Sequence, residues 1–285
     1  MGWGDTRFFL IRKKKMAWES RSKSGNYWDA LIQRAGQLAS RNDAASELLT
    51  FYSVLLGVQK DIYEFLRSRR DWLPTGLFEN DLAVAGEMLP ALLSAVERSG
   101  PSELAEEARR LKDASKDELD VLLLRQWWSP SDDQFFAKAF LQPYARWLAE
   151  SGGRPLDRNC ETSENRCPFC GGKPQVSVLQ SRETSSESGG RDLVCATCLT
   201  VWPFRRIVCA KCGEERPHML AYFRAPEFDY IRVEACDTCK FYIKGVDLTR
   251  LGLAVPLVDE IYGSSLDIWA REHGYTKIEL NLVGL

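Results

Sequence analysis

The stretch "VCATCLTVWPFRRIVCAKCGEE", residues 194–215, carries two Cys-x-x-Cys pairs, Cys195/Cys198 and Cys209/Cys212, separated by ten residues. Taken alone it looks like one four-sulfur site. Two further pairs change that reading, Cys167/Cys170 upstream and Cys236/Cys239 downstream, with gaps of 24, 10 and 23 residues between neighbouring pairs. Moving the first two pairs along by 41 or 42 residues lays them on the last two. The flanks move with them: "CPFCGGKP" falls on "CAKCGEERP", and "LVCATC" on "VEACDTC". A period of this size marks one supersecondary unit used twice.

Each unit is then Cys-x-x-Cys-Gly, a β-hairpin, and a second Cys-x-x-Cys. Zinc ribbons and rubredoxin-like sites are built this way, with two knuckles on adjacent loops bringing four thiolates around one ion. The repeat assigns Cys167, Cys170, Cys195 and Cys198 to a first metal site, and Cys209, Cys212, Cys236 and Cys239 to a second. The competing assignment uses the inner four for one site and leaves the outer pairs to meet across a long span. Independent redox dithiols are a further alternative, but such a pair opens a helix after a strand, and none of these has that setting. Disulfides rank last in a reducing compartment. A tetrahedron of sulfurs suits zinc and iron equally.

Gly171 and Gly213 follow the leading knuckles, where a positive φ would let a backbone N–H approach a sulfur. Cys160, the ninth cysteine, reads as a free thiol. His218 and His273 read as surface or packing residues, since both sulfur sets are complete without them. Trp202 is expected to wedge between the two modules, with Arg205 and Arg206 forming a solvated or binding face.

Composition narrows the class. The 285-residue chain balances 38 Lys/Arg against 40 Asp/Glu, so no net field draws it to nucleic acid or anionic membrane. No apolar run approaches the roughly 18 residues of a membrane span. At the N-terminus the apolar run Phe8–Ile11 precedes the basic cluster Arg12–Lys15, the reverse of a secretory signal. Residues 1–25 read as a disordered leader, with Met16 as an alternative start, and the expected location is cytoplasmic.

Residues 26–150 hold no cysteine and read as a helical domain. Phe51, Leu55, Val58, Ile62 and Phe65 form one helical stripe, and Leu82, Ala85, Leu89, Leu92 and Val96 another, with Pro90 placed to kink or divide it. Ser115-x-x-Glu118 and Ser131-x-x-Gln134 have capping-box spacing, the latter ahead of Phe135, Phe136, Phe140, Tyr144 and Trp147. Trp127 and Trp128 read as core. The linker is residues 151–159, the first metal ribbon 160–204, the second 205–250, and a C-terminal helix and tail 251–285, with Asp259, Glu260, Asp267 and Arg271 expected on a solvated face. The fold class is α plus small β: an N-terminal helical domain, two tandem rubredoxin- or zinc-ribbon-like modules, and a C-terminal helix.

Three functions suit two metal ribbons behind a helical domain. A nucleic-acid reader needs a basic face, whereas residues 160–245 carry 12 Lys/Arg against 11 Asp/Glu. An electron carrier needs iron and a redox partner. A binding or chaperone module uses metals to rigidify folds with small cores. No Ser/His/Asp set, P-loop or dinucleotide turn marks an ordinary enzyme.

The pattern "CPFCGGKP…VCATCLTVWPFRRIVCAKCG…ACDTCKFYIK…EHGY", over roughly residues 160–275, resembles the formate dehydrogenase accessory protein FdhE family. The resemblance implies a cytoplasmic, non-enzymatic maturation factor. Its implied partner is the catalytic subunit of molybdenum- or tungsten-dependent formate dehydrogenase. It favours iron as the cofactor at the eight paired cysteines, without excluding zinc, and it assigns no role to Cys160 or the leader. A rubredoxin-like carrier or redox sensor serving the same enzyme is the alternative.

Overall fold

In the computed structural model the described residues are 27–41, 43–69, 71–158, 163–181 and 190–285. The expected leader and Cys160 lie outside them.

Among the described residues seven helices come first: α1 (Tyr27–Ala39), α2 (Ser46–Ser68), α3 (Phe78–Ala85), α4 (Leu89–Ser99), α5 (Ser102–Lys112), α6 (Lys116–Trp128) and α7 (Phe135–Glu150). The long α2 packs against α1, α4 and α7, so its buried face is wider than the one stripe read from sequence and also takes in Tyr52, Leu56, Gln59 and Tyr63. Leu82, Ala85, Leu89, Leu92 and Val96 are all buried. Each fully buried Leu or Phe contributes about 1.5–3 kcal/mol of transfer free energy. The expected break occurs: a short 3-10 turn over Gly86–Met88 separates α3 from α4, and Pro90 stands in the first turn of α4, where its missing N–H costs nothing.

Ser115 and Glu118 form a complete capping box on α6. Ser131 does not cap α7. That helix starts at Phe135 behind Gln134 with no side-chain cap, while Ser131 exchanges backbone bonds with the Gln126 side chain. Trp127 is buried as expected; Trp128 is half exposed, and both indole N–H groups donate to Asp157. Asp157 also accepts from the backbone N–H of Phe78 at the start of α3, so this stretch of the linker is pinned to the helices.

Six strands follow, β1 (Pro174–Gln180), β2 (Gly190–Cys195), β3 (Val201–Phe204), β4 (Leu220–Phe223), β5 (Ile231–Cys236) and β6 (Phe241–Asp247), in the spatial order β3-β2-β1-β6-β5-β4. Each sequence repeat is a three-stranded antiparallel meander. The two join through a parallel pairing of β1 with β6, Val176 opposite Lys244 through Leu179 opposite Asp247. One sheet therefore carries both repeats. Trp202 sits on the outer strand β3, and its Nε1 donates to Glu164 O within the first repeat, away from the β1/β6 seam where a wedge would act.

A buried polar ladder crosses that seam. Glu234 on β5 reaches over β6 and β1 to Arg191 on β2 (2.5 Å), with Ser177 accepting from Arg191 Nε (2.9 Å). Residue 245 must be glycine for this, because a Cβ there would lie 2.5 Å from Glu234 Oε1.

The C-terminal part is two helices, α8 (Pro256–Tyr262) and α9 (Ser264–Glu272), then a short strand β7 (Thr276–Lys277) beside the start of β6. Here the expectation of a solvated acidic face fails. Helix α8 lies between α1 and α2 on one side and β1 and β6 on the other, and Asp259, Glu260 and Asp267 are fully buried; Arg271 alone is exposed. Each carboxylate finds cations: Asp259 takes Arg34 of α1 (2.5 Å) and the Tyr230 hydroxyl (2.8 Å), and Glu260 and Asp267 share Lys244 and Lys277. Burial of charge is tolerable only when paired and hydrogen-bonded in this way.

Candidate metal centres

The structure gathers the eight paired cysteines into two sets, Cys167/Cys170/Cys195/Cys198 and Cys209/Cys212/Cys236/Cys239, each with its sulfurs within 4.8 Å of one another. This is the tandem grouping, not the inner-four one. In the first set, Sγ–Sγ separations are 3.5 Å for Cys167–Cys198, 3.5 Å for Cys170–Cys195 and 3.4 Å for Cys170–Cys198. In the second, Cys209–Cys239 and Cys212–Cys236 are 3.7 and 3.8 Å apart. A tetrahedron with metal–sulfur bonds of about 2.3 Å has edges of about 3.8 Å, so both sets can hold an ion with little adjustment. The distances are far beyond a covalent S–S bond of about 2.05 Å, and all eight thiols are free.

The knuckles repeat in backbone as well as sequence. Gly171 and Gly213 have φ of +69° and +76°, while Leu199 and Lys240, which follow the trailing pairs, have +57° and +58°. The glycines do not present their N–H to a sulfur. They donate to the carbonyls of Cys167 and Cys209 (2.9 and 3.0 Å), closing the turn, and the N–H groups facing sulfur come from mid-knuckle: Thr197 to Cys195 Sγ and Lys211 to Cys209 Sγ, both 3.3 Å. Such bonds stabilise thiolate charge.

Cys195 and Cys236 are repeat equivalents, and both have depressed pKa values. Burial opposes ionisation of each. At Cys195, hydrogen bonds from the other three cysteines outweigh it; at Cys236, backbone N–H groups of its knuckle and the thiols of Cys239 and Cys209 do so. Burial pushes Cys209 up to about 11 and raises Cys198 and Cys239. Because thiolates rather than thiols are the ligands, metal binding at either set would release protons.

The two sets differ in setting. All four cysteines of the first are at most 1% exposed, whereas in the second Cys212 is exposed and Cys239 half-buried. Helix α7 covers the first: Gln142 Nε2 donates to Ala196 O (2.9 Å) and Arg146 Nη1 to Leu199 O (3.3 Å). Gln142 is positioned in turn by Gln59 of α2 (3.1 Å), whose Nε2 also donates to Ala139 O at 2.7 Å. Pro143 lies inside α7 and cannot donate to the carbonyl four residues back, which is Ala139. Gln59 supplies the missing donor. None of these helix residues was marked by sequence as part of the site; the signal available was a proline in mid-helix beside a glutamine.

His218 and His273 stand outside both sets and are exposed, with His273 stacked on Trp269. Among the described residues no helix is long and apolar enough to cross a membrane.

Residues 166–206, from the first knuckle to the turn after β3, match the family described as FdhE, central domain. An FdhE homologue of Aquifex aeolicus is 36% identical over 196 residues, 68% of each chain. One of Haemophilus influenzae (strain PittGG) is 28% identical over 216 residues, 73% of this chain and 69% of the relative. The crystal structure of the FdhE protein from Pseudomonas aeruginosa has the same fold, with a TM-score of 0.66 and 23% identity over 90% of this chain and 94% of that one. With a relative 36% identical over two thirds of both chains, the chain belongs to the FdhE family.

Proposed function

We propose that this protein is a cytoplasmic, non-catalytic accessory factor that binds the catalytic subunit of a molybdenum- or tungsten-dependent formate dehydrogenase during its maturation or quality control. In this reading the eight cysteines hold two metal ions, with iron favoured by family resemblance and zinc as the alternative. One observation carries it: a member of the FdhE family keeps two complete four-sulfur sets, each made of cysteines alone. Catalytic metal sites keep a ligand position open for water or substrate, and four thiolates leave none. When bound, such ions cross-link the knuckles and, if iron, can also carry one electron. The protein's own residues orient the thiols, through the Thr197 and Lys211 N–H groups, and exclude water from the first set with α7.

Deleting the gene should abolish or sharply lower formate dehydrogenase activity in cell extracts, with recovery on complementation, and the catalytic subunit should co-purify with the tagged protein. Unchanged enzyme activity in the deletion strain rules out the maturation role. A second reading, a rubredoxin-like carrier or redox sensor for the same enzyme, is favoured by the exposure of Cys212. Anaerobically purified protein that is colourless with two zinc ions excludes it; a red ferric-thiolate spectrum supports it.

A further inference from the structure

The two repeats share their cysteines but not what surrounds them. In the leading knuckles, Phe169 and Gly172 of the first repeat correspond to Lys211 and Glu214 of the second. In the trailing knuckles, Ala196 and Leu199 correspond to Asp237 and Lys240. At four equivalent positions an apolar residue or glycine stands at one centre and a charge at the other. The structure uses the difference. Ala196 and Leu199 are buried against α7, with their carbonyls capped by Gln142 and Arg146. Gly172 lets its backbone lie so near Cys170 and Cys195 that a Cβ would sit 3.2 and 2.9 Å from their sulfurs. Lys211 and Lys240 instead turn outward over Phe241 and Tyr275, and Lys240 pairs with Asp237 at the surface. The cover over the second trailing knuckle is one edge of the C-terminal segment, through Thr276 N to Lys240 O (2.8 Å) and the Tyr275 hydroxyl to Asp237 (2.9 Å). It leaves Cys212 open. A cleft of about 750 Å³ borders Cys167, yet that residue is 1% exposed, so the cleft does not open the first centre.

We propose that the two centres divide their roles: the first is a sealed structural ion, and the second is a solvent-open, exchangeable soft-metal site through which the protein gains and loses metal. This rests on the reading that both sulfur sets bind metal. A chelator or alkylating agent reaches Cys212 directly, whereas reaching the first set requires α7 to lift from the Ala196–Leu199 knuckle, a sub-global opening.

The test uses the full chain, purified anaerobically with its metals and exposed to excess EDTA and N-ethylmaleimide. Released metal is counted by mass spectrometry while alkylated cysteines are mapped by peptide analysis, leaving Cys160 aside. One equivalent should leave at least about tenfold faster than the other, with Cys209, Cys212, Cys236 and Cys239 modified in the fast phase and the first set in the slow phase. Two equivalents leaving together, or Cys167, Cys170, Cys195 and Cys198 reacting as fast, overturns the division of roles. Protein with no metal before chelator is added overturns the metal reading itself, and the division with it, and the zero-time measurement separates that failure from the first.

Discussion

Substituting Gly172 with alanine should weaken the first metal centre far more than the second. The new Cβ would lie 2.9 Å from Cys195 Sγ, 3.0 Å from Thr197 Oγ1 and 3.2 Å from Cys170 Sγ. Comfortable non-bonded separations are about 3.5–4.0 Å, so each contact is too close by roughly half an ångström. The two sulfurs are 3.5 Å apart along one edge of the tetrahedron, and neither can retreat without changing that edge. Gly172 is not among the positive-φ glycines, so backbone strain adds nothing and the whole effect comes from these contacts. Overpacking of a dense interior costs about 1–3 kcal/mol, which corresponds to metal binding about 5- to 150-fold weaker at that centre. Chelator competition on anaerobic protein reads this directly, with the second centre as the control within the same molecule. If Gly172→Ala holds its first metal as tightly as the wild type, the claim that this backbone is packed against the sulfurs is wrong.

Two further expectations concern what holds the first centre in place. Replacing Gln59 with leucine strips Ala139 O of the donor that Pro143 cannot provide and frees Gln142, so stability should fall by about 1–3 kcal/mol in urea unfolding, and first-set alkylation should accelerate; equal alkylation rates would mean that α7 is not the cover. Glu234 and Asp267 are both held below the usual carboxylate range: burial opposes this, but Arg191 and Arg232 at Glu234, and Lys244 and Lys277 at Asp267, outweigh it. A depressed pKa stabilises the fold fully above the unfolded values, near 4.3 for Glu and 3.9 for Asp, and that contribution is lost as pH falls through the folded values. The urea midpoint should therefore drop below about pH 4.5. Glu234→Gln should lower it at neutral pH while flattening the acid limb; parallel acid limbs would assign the loss to thiol protonation and metal release instead.

Local signals were readable and long-range ones were not. The 41- to 42-residue repeat determined which cysteines meet, because a duplicated unit carries its own pairing. Helix stripes and the Ser115 capping box are likewise written within a few residues. The parallel β1/β6 seam is not, since the period of a strand says that it pairs but not with which partner. Asp259, Glu260 and Asp267 misled for the same reason. A carboxylate on a helix reads as solvated unless its cation is known, and Arg34 lies 225 positions from Asp259.

That seam alters what a cysteine substitution can be expected to do. Two independent ribbons would fail one at a time. Here β1 of the first repeat is hydrogen-bonded to β6 of the second, and Glu234 ties β5 to β2 across both. Losing the first centre removes the anchor of β2 and of the knuckle beneath α7, and with it one wall of the seam. The second centre lies at the far end of β5, where the C-terminal segment rather than the helical layer supports it. Damage should therefore propagate from the first centre into the second more readily than the reverse. Under the proposed division of roles, a sealed centre at the junction of helices and sheet would keep the protein folded while an open one at the rim exchanged its ion.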